Sequence, residues 1–423
     1  MRCEVAIIGS GIAGAISASK FQEQGIDFAL INDPRSIKHR PVWISSDGTE
    51  AFPEIRQSMR ETEYVRLISP NADFRVRHAI GKYWIINPKE VIAGIQERID
   101  PSSKIDVDIA RNPISLKPVK DGFEIQGLSD VVNCKKVVDA TGIFGLTQEG
   151  KNYLVEWLYG GAIRGSLNNE EMILLFTPDG GTCWIAPSIY QGYIDAVYTA
   201  WGPKNRYSDF FETGDRRLKS LLTFARTKKG IHIDSDIPEE IYTGMIAAQE
   251  HSGVVCETIY PFGEAAQTSR PASQGSFNRI LTTGPILTEA VISGLPASKF
   301  IKKLNMFQKK DHFMFAGLVA RVLAHQSKGV SGTTIEAVER LTQNLSLDEK
   351  RKVEDQFESW VHGVVNPKFV VQMASKDPQI RKSLMYSGGA YILARLIGCN
   401  NLFKLMQYFN EEVLQRGYLP AVA

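Results

Sequence analysis

The feature that most constrains the fold lies at the start of the chain, within residues 4–33. The apolar run VAII at 5–8 is followed by GSGIAG, a segment of small residues at 15–24 and a second apolar run, FALI, at 28–31. This order predicts a strand, a glycine-rich turn, a helix and a second strand, with the pattern G-x-G-x-x-G between strand and helix. Such a pattern is typical of a βαβ unit that binds a dinucleotide. The alternative is a glycine-rich turn in another kind of α/β domain.

The three glycines of this loop have separate physical roles in such a unit. We expect Gly9 to permit the tight turn, Gly11 to let the backbone approach a pyrophosphate, and Gly14 to let the helix pack on the sheet. The N–H groups at the helix start would face the phosphates, because the helix dipole favours negative charge there. The loop residues predicted to bind the cofactor are Gly9, Ser10, Gly11, Ile12, Ala13 and Gly14.

The end of the second strand departs from the usual pattern. An acidic residue about 20 residues beyond the glycines normally binds the adenosine ribose, whereas Asn32 stands at this position, with Asp33 next to it. Hydrogen bonds to charged groups contribute roughly 1.5–3 kcal/mol and neutral ones about 1 kcal/mol. We therefore expect the adenosine end to be held less firmly unless Asp33 substitutes. Arg35, in the basic stretch that follows, either contacts the cofactor phosphates or belongs to a solvated loop.

Composition places the chain among ordinary globular proteins with more than one subdomain. It has 423 residues, 43% apolar and 23% charged, with a net charge of +2, which gives no broad electrostatic case for nucleic-acid binding. Its five cysteines are scattered and form no C-x-x-C, so neither a metal site nor a disulfide framework is indicated. We see no secretory leader before the first strand and no apolar run of about 20 residues, and we expect a cytoplasmic protein.

Residues 62–145 carry alternating strand and helix signals. Short apolar runs are separated by turn residues, and Asn87-Pro88 is typical of a helix start because proline is favoured in the first turn. The expected elements, in chain order, are a β-pair at 64–68 and 74–78, a helix from residue 88, a strand at 105–109, a hairpin at 114–125, and a buried strand ending in V-V-D-A-T-G at 137–142.

This order of elements resembles the FAD-binding domain of the glutathione-reductase-like flavoproteins. The likeness depends on the N-terminal dinucleotide fold, the β-meander and the V-V-D-A-T-G segment. It implies that FAD is the cofactor and that the turn Ala140-Thr141-Gly142 lies against it. It also implies that the strand near Val107 offers backbone atoms to the adenine. The residues by themselves indicate only an α/β nucleotide-binding domain.

A distant segment, residues 259–294, resembles the third cofactor motif of the geranylgeranyl-reductase and lycopene-cyclase branch of these flavoproteins. In that motif a Gly-Asp pair, a proline and a glycine-rich turn lead into a helix around the ribityl chain and the isoalloxazine. Here Gly263-Glu264 replaces Gly-Asp, Pro271 is in register, and Gly275 is displaced by one position before Ser276. The resemblance implies that Gly263, Glu264, Gly275 and Ser276 contact the flavin half of the cofactor.

Few side chains qualify as catalytic groups near a flavin. Glu264 keeps a carboxylate, and Trp184, in GGTCWIAP at 180–187, resembles the aromatic that lines the cavity over the flavin in that branch. The alternative for Trp184 is a core aromatic of the sheet. Lys82 stands roughly where flavin-dependent halogenases place their catalytic lysine, without the surrounding glycine pattern. The weaker candidates are Tyr190, His78 and Tyr83.

The sequence contains a single dinucleotide fingerprint. No strand is predicted before Gly160-Gly161 and Gly165, so these glycines do not qualify as a second fingerprint. No dedicated NAD(P) domain is therefore expected, and reducing equivalents would come from transiently bound NAD(P)H or from a separate reductase.

The expected fold class is α/β: a Rossmann-like FAD-binding domain with a parallel sheet, an inserted antiparallel β-sheet substrate domain and a C-terminal helical region. The FAD-binding domain is assigned to 1–60, 88–150 and 255–297, the substrate domain to 61–87 and 151–254, and the helical region to 298–423. Apolar residues recur at helical spacing in the last region. We expect them to form a cap over the substrate cavity, with peripheral membrane contact as the alternative.

Three functions remain open from the sequence. The first is an FAD-dependent oxidoreductase acting on an apolar small molecule, an isoprenoid or a secondary metabolite, by hydride transfer or flavin-assisted cyclisation. The second is a monooxygenase or halogenase of the same fold, in which reduced flavin reacts with oxygen. The third is a flavin-fold binding subunit without catalytic activity, suggested by Asn32, Glu264 and the displaced Gly275.

Overall fold

The computed structural model describes most of the first 307 residues and one later helix. The described ranges are 1–33, 42–45, 48–69, 71–77, 83–108, 111–147, 154–167, 171–176, 182–247, 253–267, 276–307 and 346–361, with single residues between 339 and 385. Five residues named from the sequence lie outside them: Arg35, His78, Lys82, Pro271 and Gly275.

The strands form two large sheets and one small one. The strands of the first half are β1 (Arg2–Ile8), β2 (Phe28–Asn32), β3 (Val42–Ser45), β4 (Arg60–Glu61), β5 (Tyr64–Ile68), β6 (Asp73–Arg77), β7 (Tyr83–Ile86), β8 (Lys104–Asp106), β9 (Ser115–Val119), β10 (Gly122–Gln126) and β11 (Val132–Asp139). Those that follow are β12 (Leu154–Ser166), β13 (Glu171–Phe176), β14 (Thr182–Pro187), β15 (Tyr193–Pro203), β16 (His232–Ile233), β17 (Glu240–Ala247) and β18 (Ile259–Pro261).

Helices connect and cover these sheets. They are α1 (Ile12–Glu23), α2 (Pro53–Gln57), α3 (Pro88–Glu97), α4 (Tyr207–Lys229), α5 (Ser276–Ile292), α6 (Ala297–Phe307) and α7 (Leu347–Val361). The start of α3 follows the sequence prediction, because the Asn87 side chain accepts a hydrogen bond from the Lys89 N–H and Pro88 occupies the first turn. No helix within the described ranges is long and apolar enough to cross a bilayer.

The first sheet has a parallel core in the order β8-β2-β1-β11-β18. The β9–β10 hairpin extends it antiparallel to the first part of β11. Alternate residues of β1 serve two different cores: Val5 and Ile7 pack with α1, α3 and α5, and Ala6 and Ile8 pack with the hairpin. The four residues are fully buried, which explains their unbroken apolar run, because a parallel sheet is covered on both faces.

The second sheet has the order β16-β12-β15-β14-β13-β5-β6, with β17 paired to β12. Its pairs are antiparallel except for β13 and β5, which run parallel. One face packs on α4 through Leu218, Leu222 and Ala225 of that helix. The opposite face carries Trp184 with Leu158 and Val197.

The prediction of an α/β fold with a parallel sheet and an antiparallel sheet is confirmed. Several elements of the middle third were not predicted, among them β12, α4 and β17. The strand β12 contains Gly160-Gly161 and Gly165, so these glycines lie within a strand rather than in a loop without one. The helix α4 interrupts the β-rich region. The predicted strand at 105–109 is shorter, because β8 ends at Asp106, and the domain boundaries remain a prediction.

Candidate functional site

The turn after β1 lies against the turn after β11. Gly9 has φ +105°, and a β-carbon there would stand 2.4 Å from the carbonyl oxygen of Ala140. A β-carbon on Gly14 would stand 1.8 Å from the Gly9 carbonyl oxygen. Both positions therefore exclude a side chain by backbone contact. At Gly11 a β-carbon would meet nothing within 4 Å, so the middle glycine faces open space above the loop.

The start of α1 is left open to an anion. Its N-cap, Gly11, has no side chain to bond the first N–H groups, and the first helical bond runs from the Ala15 N–H to the Gly11 carbonyl at 2.9 Å. The N–H groups of the first helical turn point out of the helix end. Beside them, the Ser10 hydroxyl is buried at 1% exposure and has no hydrogen-bond partner in the described part of the chain. A phosphate supplies acceptors for such donors.

The turn Ala140-Thr141-Gly142 is held by a residue that the sequence prediction did not name. Asp139 is fully buried, and its carboxylate accepts from the N–H groups of Thr141 at 3.1 Å and Thr147 at 2.8 Å. The hydroxyls of both threonines also donate to it. The aspartate before A-T-G was the available signal, since a buried carboxylate requires partners of this kind. Its bonds fix the turn next to Gly9.

The predicted adenosine edge of the sheet, at the carboxyl ends of β2 and β8, has an unexpected pairing. Asn32 Nδ2 donates to Asp106 Oδ1 at 2.5 Å, and Asn32 Oδ1 is buried without a partner among the described residues. Asp33, next in the chain, is 7% exposed. The Val107 N–H donates to the Asn32 carbonyl at 2.8 Å, so this N–H is bonded to β2, and the contact of the strand near Val107 with an adenine remains a prediction.

The third motif packs directly on the first. Gly263 has φ +64°, and a β-carbon there would stand 2.7 Å from the Ala13 β-carbon. The preceding Phe262 N–H donates to the Asp139 carbonyl at 2.9 Å. Segments far apart in the chain therefore meet around the start of α1. Ser276 begins α5 and is half-buried.

The candidate catalytic residues lie in different surroundings. Glu264 follows Gly263, and its Oε2 accepts from the Ala247 N–H at 3.1 Å at the end of the antiparallel sheet. Trp184 is half-buried on the face of that sheet opposite α4. Tyr83 is fully buried, and Tyr190 is 45% exposed.

The face that carries Trp184 also holds buried polar groups that sequence reasoning missed. Glu156 is 1% exposed, and burial raises the pKa of its carboxyl to about 8, although Thr199 bonds it. Farther along the same face, the Tyr242 hydroxyl donates to Asp195 Oδ1 at 3.0 Å, and burial, with Asp195 adding to it, raises the pKa of Tyr242. Alternate residues of a strand lie on one face, and this alternation places these groups on the face that carries Leu158. It is the sequence signal by which they could have been found.

The residues around α1 fit a dinucleotide. The open space at Gly11, the buried Ser10 hydroxyl and the buried Asn32 oxygen lie at the carboxyl ends of β1 and β2. This edge, where β1 and β11 lead in different directions, is where open α/β sheets bind their ligands.

The fold and this edge define the class: the chain has the FAD-binding fold of flavin-dependent oxidoreductases and monooxygenases. It is similar to a geranylgeranyl bacteriochlorophyll reductase-like protein from Thermoplasma acidophilum, with a TM-score of 0.60 and 13% identity over 91% of this chain and 99% of that one. A flavoprotein/dehydrogenase from Cytophaga hutchinsonii has a TM-score of 0.59 and 14% identity over 89% and 100%. A probable FAD-dependent monooxygenase from Pseudomonas aeruginosa has a TM-score of 0.55 and 14% identity over 75% and 97%. No family model and no curated protein matches the sequence.

Proposed function

We propose that the protein is an FAD-dependent oxidoreductase acting on a largely apolar small molecule. The observation that carries the proposal is the convergence of three distant segments at the start of α1. There Gly9 lies against Ala140, and Gly263 lies against Ala13. The Ser10 hydroxyl and the Asn32 amide oxygen remain for a ligand at the same edge. The fold neighbours named as FAD-dependent or flavoproteins support the choice of FAD.

In this proposal each part of the cofactor is bound by a different set of residues. The N–H groups at the start of α1 and the Ser10 hydroxyl hold the pyrophosphate, and Asn32 takes the adenosine end. The turns at Ala140-Thr141-Gly142 and Gly263-Glu264 hold the flavin half. When bound, FAD supplies the capacity to accept or deliver a hydride. The protein supplies shape, orientation and the exclusion of water.

The face opposite α4 is the proposed substrate wall. Leu158, Val197 and Trp184 make it mainly apolar, which favours a hydrophobic substrate such as an isoprenoid or a secondary metabolite. Glu156 on the same face is a group that holds a proton at neutral pH. Reduction of a C=C bond requires a proton besides the hydride, and we assign Glu156 as a candidate source.

A monooxygenase is the second candidate function. It is supported by the likeness to the Pseudomonas monooxygenase. Either reaction needs an electron donor, and we propose transiently bound NAD(P)H or a separate reductase, because the sequence has one dinucleotide fingerprint only.

The purified protein tests the proposal directly. We expect a yellow protein with flavin absorbance bleached by dithionite, and FAD as the retained molecule in mass spectrometry. A colourless protein that takes up no added FAD would contradict the proposal. Full FAD occupancy with substrate-dependent turnover would exclude a non-catalytic binding subunit.

Oxygen chemistry is tested separately with the reduced protein. A reductase or cyclase reoxidises in air without transferring oxygen to an organic product. A monooxygenase places an atom from isotopically labelled oxygen in its product. Labelled product from a panel of aromatic and isoprenoid compounds would replace the first candidate function by the second.

A further inference from the structure

The adenosine edge contains a carboxylate that the sequence pattern does not place there. β2 and β8 run parallel, and Asn32 and Asp106 are register partners at their carboxyl ends. Asp106 therefore lies at the same level of the sheet as Asn32, one strand farther from the glycine loop. The residue is exposed at this edge.

The hydrogen bond between the two side chains sets the orientation of the amide. A carboxylate only accepts hydrogen bonds, so the group that Asn32 presents to Asp106 Oδ1 at 2.5 Å must be Nδ2. The amide oxygen is then turned away from Asp106. This assignment follows from the partner and not from the shape of the side chain.

The amide oxygen is an acceptor in need of a donor. Asn32 is 7% exposed, and its Oδ1 makes no hydrogen bond to any residue that the structure describes. Buried polar atoms are normally bonded. A hydroxyl donor from a ligand at this edge would satisfy it.

We propose that Asn32 and Asp106 act as a pair that binds the vicinal hydroxyls of the adenosine ribose. Asn32 Oδ1 accepts from one hydroxyl, and the Asp106 carboxylate accepts from the other. This inference rests on the proposed FAD function and names the residues of its adenosine end. The charge at Asp106 also selects a free ribose over a 2′-phosphorylated one, because like charges repel.

The first test compares FAD with FMN, which lacks the adenosine. Dissociation constants are measured by flavin fluorescence on the full-length apoprotein for the native protein, D106A and D106N, with D121N in the exposed β9–β10 turn as the charge-matched control. We expect D106A to weaken FAD at least tenfold, D106N less, and D121N not at all. FMN binding should not change in any of them.

The second test exchanges the two side chains. N32D restores the usual acidic residue but places two carboxylates in contact, so we expect it to weaken FAD binding. The double variant N32D/D106N re-forms an amide–carboxylate pair in reverse and should recover at least half of the loss in log Kd.

The outcomes separate this pairing from the proposed function. FAD affinity unchanged in D106A, equal weakening of FAD and FMN, or tighter FAD binding by N32D would each overturn the pairing while leaving an FAD protein. A native protein that binds neither flavin would overturn the FAD function and the pairing together.

Discussion

The Glu264 carboxylate and the Ala247 N–H are joined by a hydrogen bond of 3.1 Å that links the cofactor fold to the antiparallel sheet. Ala247 is the last residue of β17 and is fully buried, and Glu264 stands in the turn that packs on Ala13 through Gly263. The carboxylate at this position therefore has a structural partner, whatever it contributes to chemistry. A glutamate reaches this partner with one methylene more than the aspartate of the resembling motif.

Replacement of Glu264 separates structure from catalysis. E264A removes the acceptor of a buried N–H and should lower the free energy of unfolding by about 1–3 kcal/mol, measured by urea unfolding. E264Q keeps an amide oxygen for Ala247 and should retain most of the stability. If E264Q were nevertheless inactive with FAD bound, the carboxylate would be a catalytic group. The hydrogen bond to Ala247 would then not be its only role.

Substitution of Gly14 should lower the stability of the fold, whereas substitution of Gly11 should lower the affinity for FAD. G14A forces a β-carbon against the Gly9 carbonyl oxygen and should destabilise the fold by several kcal/mol, as overpacking against backbone does. G11A meets no atom, and its φ of −63° suits alanine, so the protein should fold normally. The added methyl group should weaken FAD binding at least tenfold. Thermal unfolding and FAD titration measure the two effects, and a stable G14A or a G11A with native affinity would contradict them.

Glu156 should make stability depend on pH. Its folded-state pKa of about 8 lies above the ordinary 4.5, so between these values the folded protein binds more protons than the unfolded chain. Stability therefore falls as pH rises through this range, by up to about 1.4 kcal/mol per pH unit. E156Q should flatten this dependence, and E97Q, at an exposed position, should not. Urea unfolding at several pH values measures it; identical slopes for native protein and E156Q would refute the assignment.

Asp139 should contribute strongly to stability, although the sequence did not mark it as a site residue. D139N turns an amide N–H₂ toward donors from Thr141 and Thr147, and each buried donor left unpaired costs about 1–3 kcal/mol. T147V removes one hydroxyl and leaves the carboxylate, so it should cost less. Chemical unfolding of both variants, with D121N as control, checks this order, and a D139N as stable as D121N would contradict it.

The glycine loop shows what the sequence can predict. Spacing, flanking apolar runs and helix start lie within one short segment, so β1, α1 and β2 follow from local pattern alone. The hairpin and the start of α3 are local in the same sense. The contacts between Gly9 and Ala140 or Gly263 and Ala13 join distant segments, and only resemblance to a known fold brought those segments together.

The adenosine edge shows where prediction stopped. The pattern that follows the glycines indicates a missing charge at Asn32, because it covers β2 alone. The carboxylate of Asp106 comes from the neighbouring strand, and strand register is not visible in the sequence. β12 was missed for a different reason: its glycines lower strand propensity, yet Gly160 lies where a β-carbon would stand 2.2 Å from the Ala196 carbonyl.

The pairing of β18 with β11 has a consequence for biosynthesis. Val137 pairs with Ile259, and strands β12 to β17 of the second sheet lie between them in the chain. A ribosome adds about 5–20 residues per second, so β18 is synthesised on the order of ten seconds after β11. During that time the nascent chain presents an open strand edge of the kind that favours aggregation. The first sheet is thus completed late, after strands β12 to β17 of the second sheet have been made.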